Sequence, residues 1–315
     1  MYAALGTCHS TLIRYVRRRD RYVRQLDACA VRVDAYRRDH PGCGLRKLYR
    51  YLRSRSCDPV VEGLSRDRFV AGMLARGRGL TPLPSRPVTT RSGTQRFDNQ
   101  TRGLIVAGPD QLWVSDTTYF RMRGGPFAYL TFVVDVYTRL ILGYVASMSL
   151  GAEANVEALQ MARDAAGAAR LRGRDVKLVF HSDGAGQYGA RDFVAALADI
   201  GAVSSMGFVA QENAFAERVN GIIKAEFLAH WPEARASLSK LRLCLAHAVD
   251  VYNTVRLHDG LPGDLSPRAF AAEYAGGMHR DYVIVVKEWD HNPYASTDKF
   301  TGTPSGLSTP QELSL

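Results

Sequence analysis

Three acidic residues stand where a carboxylate is costly, and each needs a reason. Asp116 lies in the middle of "QLWVSDTTYF", a run with the β-branched and aromatic content of a central strand, where aspartate is disfavoured and a buried charge must be paired or bound to a metal. Asp183 follows "VKLVFHS" directly, at the carboxyl end of a short apolar strand where α/β sheets commonly receive ligands, and it opens the loop "GAGQYG". The third acid belongs to "QENAFAERVNGIIKAEF", Gln211 to Phe227, which offers three glutamates. Read as one helix, this stretch sets Phe215, Val219, Ile222, Ile223 and Phe227 on the stripe that packs on the sheet. Glu217, Asn220, Gly221 and Lys224 fall on another stripe. Glu226 is about half a turn out of phase with Glu217 and points away. Glu212, about 7.5 Å of axial rise before Glu217, reads as a first-turn acid that offsets the helix dipole. Asp116, Asp183 and Glu217 then form a set of oxygen ligands from three separate elements, which suits a hard cation such as Mg2+ or Mn2+. Two such ions about 4 Å apart activate a water or a hydroxyl and stabilise the leaving oxygen of a phosphodiester.

The elements that must position these acids follow a pattern. Asp110–Met122, Phe127–Thr138 and Leu140–Met148 read as three antiparallel strands separated by turn signals, and Ala152–Ala169 as an alanine-rich helix. Val176–Phe180 is a buried strand, Arg191–Ile200 a helix and Ala202–Met206 a strand. The Glu217 helix and a further helix from Leu238 to Thr254 complete the order βββ-α-β-α-β-α-α, a mixed sheet with helices. Beyond Arg280, "DYVIVVKEW" is a candidate extra strand. Residues 292–315 have the Ser/Thr/Pro/Gly composition of a disordered tail.

Ahead of the sheet the composition changes. The net charge is +10 over 315 residues, yet residues 1–108 hold 22 Lys and Arg against 8 Asp and Glu, while the remainder is slightly acidic. That asymmetry points to a polyanion-gripping arm on a body that does something else. Tyr15, Tyr22, Leu26, Cys29, Val33 and Tyr36 recur at three-and-four spacing, predicting one long basic amphipathic helix over 11–39. A second helix carries Leu45, Leu48, Tyr49 and Leu52. A third, capped by Ser65, turns Phe69, Val70, Met73 and Leu74 inward and leaves Arg66, Arg68 and Arg76 outward. A helix-turn-helix-like DNA grip and a plain helical bundle with a basic surface both fit. Residues 81–109 read as a basic linker without periodicity. The five cysteines form no CxxC pair, so neither a disulfide framework nor a zinc site is indicated, and the apolar stretch around Phe127–Ala146 is broken by Asp135 and Arg139, which excludes a membrane span.

The segments "LWVSDTTYF", "VVDVYTR", "FHSDGAGQY", "ENAFAERVNGIIK" and "YNTVRLHDGL…LSP", in this order, resemble the successive signatures of the OrfB-type insertion-sequence transposases, and "HPGCGLRKLYRYL" resembles the family's helical segment ahead of the core. The resemblance implies an α/β, ribonuclease H-like fold shared with retroviral integrases: a mixed sheet flanked by helices, preceded by a basic helical domain. With the charge asymmetry and the element order, the chain divides into a DNA-binding region (1–80), a linker (81–109), a catalytic core (110–275) and an extension with a disordered tail (276–315), the resemblance covering roughly His40 to Phe270. The resemblance also implies a DDE-type transposase that cleaves and joins element ends, with Asp116, Asp183 and Glu217 as catalytic metal ligands for two Mg2+ or Mn2+ ions. DNA is then the partner, both element ends and target, engaged by a homo-oligomer assembled on DNA; an upstream-frame helix-turn-helix protein is a further candidate partner. The expected location is the cytoplasm, at the nucleoid.

Candidate DNA contacts are Lys224 and Asn220 on the core and Arg46, Lys47, Arg66 and Arg68 in the basic region; Gln187 and Tyr188 are placed along the DNA path. Asp135 reads as a hydrogen-bonded or Arg139-paired strand acid, and His181 as either a phosphate contact or a structural histidine. The interval from Asp183 to Glu217 is shorter than the family's usual one, and Glu212 stands where aspartate is frequent. A hydrolysing nuclease of the same fold and a catalytically impaired DNA-binding derivative are the alternative functions.

Overall fold

The computed structural model of the chain describes residues 6, 8–81, 97–167, 171, 175–207 and 210–287. Most of the 81–109 linker, the end of the alanine-rich helix at 168–169 and the tail from 288 lie outside the described residues. The chain divides into two compact units, residues 1–85 and 86–315.

In the first unit, α1 (His9–Asp39) is the expected long helix. Its apolar stripe is buried only from Leu26 onward, where Leu26, Cys29 and Val33 meet α2 (Leu45–Arg50) and α3 (Arg66–Leu74); Tyr15, Val16 and Val23 are exposed. The helices cross closely at Gly72, where an added Cβ would lie 2.6 Å from Leu26 Cδ2. Ser65 caps α3 as read, its hydroxyl accepting from the Arg68 N–H. Two expectations fail here. Leu74 is exposed, because α3 ends at that residue and its last turn overhangs the core. Arg76 is not outward but paired with Asp27 of α1 at 2.7 Å.

The second unit is built on a five-stranded sheet: β2 (Leu112–Arg121), β3 (Phe127–Asp135), β4 (Ile141–Ser147), β5 (Val179–Asp183) and β6 (Val203–Gly207), in the spatial order β4-β3-β2-β5-β6. The first three strands are an antiparallel meander, and β5 and β6 add in parallel. Alternate residues divide between the faces. Leu112, Val114, Phe120, Leu130 and Phe132 pack under α6 (Ala214–Ile222) and α7 (Leu238–Thr254), with Phe270 of α8 (Pro267–Ala275). Trp113, Val133, Val145 and Phe180 pack under α4 (Ala152–Ala166) and α5 (Arg191–Asp199). Helix α4 sits so close to β4 that a Cβ at Gly143 would fall 1.9 Å from the Ala158 carbonyl oxygen, so only glycine fits. The strand and helix order is the expected one, and the fold is α/β and ribonuclease H-like.

Two boundaries move. The strand predicted at 176–180 lies at Val179–Asp183 and includes Asp183 itself, because the parallel ladder to β2 supplies backbone partners past the apolar run. The end of the supposed linker is packed: Ile105–Val106 (β1) pairs antiparallel with Ile284–Val285 (β7), and Val106 is fully buried. The expected strand in "DYVIVVKEW" therefore exists, but it forms this separate two-stranded ladder.

Candidate active site

Asp116 is brought to Asp183 by register. Ser115 of β2 pairs with Ser182 of β5, so the next residues, Asp116 and Asp183, stand side by side on the two central strands and face α6. The sheet delivers these two carboxylates without any loop. The third comes from α6, whose Ala216, Val219 and Ile222 are buried against the sheet and whose first turn carries Glu217 exposed.

The electrostatics tie the three together. Burial, then the neighbouring Asp183 and Glu217, push the Asp116 carboxyl up to about 7, against the opposing hydrogen bonds of the Thr117 N–H and the Asn220 amide. Glu217 is raised by burial and by Asp183, and Asp183 by burial, with the Ala185 N–H opposing. Among the described residues no three His, Cys, Asp or Glu side chains stand close enough together to hold one metal ion, so the three acids face one another without meeting.

Asn220 is on the Glu217 column, as helical spacing requires, and Lys224 follows just past the end of α6, but Asn220 serves another purpose than DNA contact. It is buried, and its Nδ2 donates to Asp116 Oδ2 at 2.7 Å, orienting that carboxylate. Lys224 is half-buried, its Nζ 2.6 Å from Thr118 Oγ1 two residues along β2, with burial lowering its pKa and Asp116 opposing.

The other glutamates are corrected. The 211–227 stretch is not one helix: a 3-10 turn (Ala210–Asn213) precedes α6, and a wider π-type turn (Ile223–Phe227) follows it. Glu212 lies in the 3-10 turn, buried, and pairs with Arg102 at 3.1 Å, so it is no exposed dipole-offsetting acid. Glu226 does point away from Glu217, into a two-pronged pair with the buried Arg256 at 2.7 and 2.8 Å.

Tyr188 does not border a DNA path. It is fully buried, its hydroxyl 2.9 Å from Ser115 Oγ. His181 shares the face of Asp183 but is also fully buried. Its Nδ1 meets Ser205 Oγ at 2.8 Å, and burial depresses its pKa to about 4, with Glu212 opposing. Asp135 accepts from the Asp110 and Thr138 N–H groups and the Thr138 hydroxyl, whereas the Arg139 guanidinium stacks on Phe215. In the first unit Arg46, Arg66 and Arg68 are exposed and Lys47 half-buried, Arg66 lying 3.0 Å from Asp67.

Sequence reasoning missed Asn213, whose Nδ2 donates to the Ser115 carbonyl at 2.9 Å, one residue before Asp116. It also missed Arg102, and Asn253, whose amide closes two 3.0 Å bonds on the Ile141 backbone beside the β3–β4 bulge. For Asn213 and Asn253 the available signal was an amide beside apolar neighbours, which must find partners when buried.

Residues 106–210 and 203–267 match two descriptions of the integrase core domain. The transposase InsF for insertion sequence IS3fB of Escherichia coli K12 is 31% identical over 235 residues, covering 71% of this chain and 78% of the relative. The chain belongs to the integrase-core transposases of insertion sequences. Another similar family member is the transposase for insertion sequence element IS629 of Shigella sonnei, 29% identical over 246 residues, covering 76% of this chain and 77% of the relative. Among solved structures, the HTLV-2 integrase catalytic core domain in complex with magnesium aligns with a TM-score of 0.39 at 16% identity, over 52% of this chain and 97% of that one. The family matches run from residue 106 to 267, so Asp116, Asp183, Glu217, Asn220 and Lys224 all lie inside them.

Proposed function

We propose that this DNA transposase cleaves and joins insertion-sequence ends as a DDE-type enzyme, with Asp116, Asp183 and Glu217 holding two Mg2+ or Mn2+ ions. The observation that carries the proposal is the juxtaposition of Asp116 and Asp183 on adjacent strands, facing the helix that presents Glu217. The donor set fits the ions: all three are carboxylates, the oxygen ligands hard dications take, and Asp116 and Glu217 are each raised by another acid of the set, a repulsion that bound cations offset. When bound, two such ions supply activation of a water or hydroxyl and stabilisation of the leaving oxygen.

The chain's own residues prepare the site. Asn220 fixes the rotation of the Asp116 carboxylate, and the exposed Glu217 reaches the open side, where a phosphodiester can approach. Lys224, in the turn that follows α6, offers a cation to a phosphate beside the acids. The basic first unit, through Arg46, Lys47, Arg66 and Arg68, grips DNA. Element ends and target are then held by several copies assembled on DNA, with an upstream-frame helix-turn-helix protein as a partner in recognising the ends, in the cytoplasm at the nucleoid. No helix among the described residues is long and apolar enough to cross a membrane.

The test is a joining assay with labelled duplexes carrying the element ends, a target plasmid and Mg2+. The expected result is joined product from the wild-type chain and none from Glu217→Gln. Hydrolysed ends without joined product would replace the transposase with a nuclease of the same fold.

A further inference from the structure

The segment that carries Glu217 changes helical type twice, from a 3-10 turn to nine α-helical residues to a π-type turn. Each change alters the rise and rotation per residue, so the helix by itself does not fix where Glu217 stands. Two ion pairs do. At the leading end, Glu212, whose side chain is 3% exposed, is held by Arg102 Nη2 at 3.1 Å and Nε at 3.3 Å. At the trailing end, Arg256, whose side chain is also 3% exposed, meets both oxygens of Glu226.

Both arginines stand on anchored backbone outside the segment. Beside Arg102, the Gln100 N–H donates to Ser205 Oγ, and the Gly103 N–H and Leu104 carbonyl bond Val286. The Arg256 N–H bonds the Val251 carbonyl at the end of α7, where Asn253 is locked to β4. The fit around Glu212 is tight as well: a Cβ at Gly207, at the end of β6, would lie 3.1 Å from Glu212 Cβ and 3.2 Å from His181 Nε2. A buried ion pair adds little net stability over an apolar pair of the same volume, but its directional bonds fix geometry.

We propose that Arg102 and Arg256 are positioning residues for the joining reaction: through Glu212 and Glu226 they clamp the two ends of the Glu217 segment and set the distance of that carboxylate from Asp116 and Asp183. The inference rests on the proposed ligand role of Glu217. It assigns the two other glutamates of the stretch to holding the third, Arg102 taking Oε1 of Glu212 and Arg256 both oxygens of Glu226.

The experiment uses the full chain with Arg102→Gln, Arg102→Lys, Glu226→Gln and Glu226→Asp, and Glu217→Gln as control. Three quantities are read: the Mg2+ concentration for half-maximal joining, the rise in melting temperature on adding Mg2+, and the melting temperature without metal. Residues that orient metal ligands typically change metal affinity about 10- to 100-fold, so Arg102→Gln and Glu226→Gln are expected to raise the half-maximal Mg2+ about tenfold and to shrink the Mg2+-induced melting shift. Arg102→Lys, which keeps the charge, recovers most of both. If a glutamine variant does not fold, Arg102→Lys and Glu226→Asp must show the same displacement in smaller degree. Clamp variants that melt lower without metal yet respond to Mg2+ as the wild type does would reduce the pairs to structural contacts and overturn the inference. A Glu217→Gln protein that still joins DNA and still gains stability from Mg2+ would instead overturn the site on which it rests.

Discussion

Asp116→Asn tests the electrostatics of the site apart from its chemistry. With its carboxyl pushed up to about 7 against an ordinary 3.8, Asp116 binds a proton more tightly folded than unfolded. In the window between those values the folded state carries more protons, so stability falls as pH rises through it, and the full penalty is present above about pH 7. Three pKa units correspond to about 4 kcal/mol as a ceiling, and solvent screening of this half-buried carboxylate brings the expectation to about 2 kcal/mol. Asparagine removes the charge while keeping a carbonyl oxygen for the Asn220 amide. The metal-free variant should therefore be about 2 kcal/mol more stable than wild type at pH 8, with the gap closing toward pH 4. All three tryptophans lie in the second unit, so urea titration followed by tryptophan emission reports that unit alone. Saturating Mg2+ should reverse the order, since the wild type gains a ligand that the variant binds poorly. A variant no more stable than wild type at pH 8, or a gap that does not depend on pH, would refute the reasoning.

Replacing Arg46, Lys47, Arg66 and Arg68 together with alanine should lower the slope of log affinity against log salt by about three to four units if all four neutralise phosphates; an unchanged slope in fluorescence anisotropy would remove them from the DNA interface. Gly143→Ala should destabilise the second unit by about 3 kcal/mol, because the new methyl meets the Ala158 carbonyl of α4, a backbone atom that cannot step aside; an unchanged urea midpoint would show that α4 can move away. Lys224→Gln should weaken DNA binding and joining while leaving the Mg2+-induced melting shift intact, since Lys224 offers a cation to phosphate rather than a ligand to metal. Loss of that melting shift would make it a site-shaping residue instead.

Local periodicity made much of the fold legible. The three-and-four spacing of Leu26, Cys29 and Val33 marked the buried face of α1, and the alternation along 112–134 sent Val114 and Trp113 to opposite faces of the sheet. The same arithmetic put Glu217, Asn220 and Lys224 on one column, because side chains three, four and seven apart on a helix must share a face. It could not see where the helix type changes. Nor could it see that the 105–106 segment, apolar but too short to show a period, finds its ladder partner at 284–285.

What the sequence by itself determined was the identity and order of the elements and the three acids they carry, since those follow from residue type and spacing within single elements. The tertiary structure alone decided the employment of the remaining polar groups. Glu212 meets Arg102 across 110 positions, Glu226 meets Arg256 across 30, and Asn220 meets Asp116 across 104. A carboxylate or amide taken out of water must find a partner, and many arginines, amides and hydroxyls could have served each one. Only the packing of α6 and α7 on the sheet and the backbone ladders that anchor the neighbouring segments bring one particular partner within 3 Å or so, and local spacing carries no record of that choice.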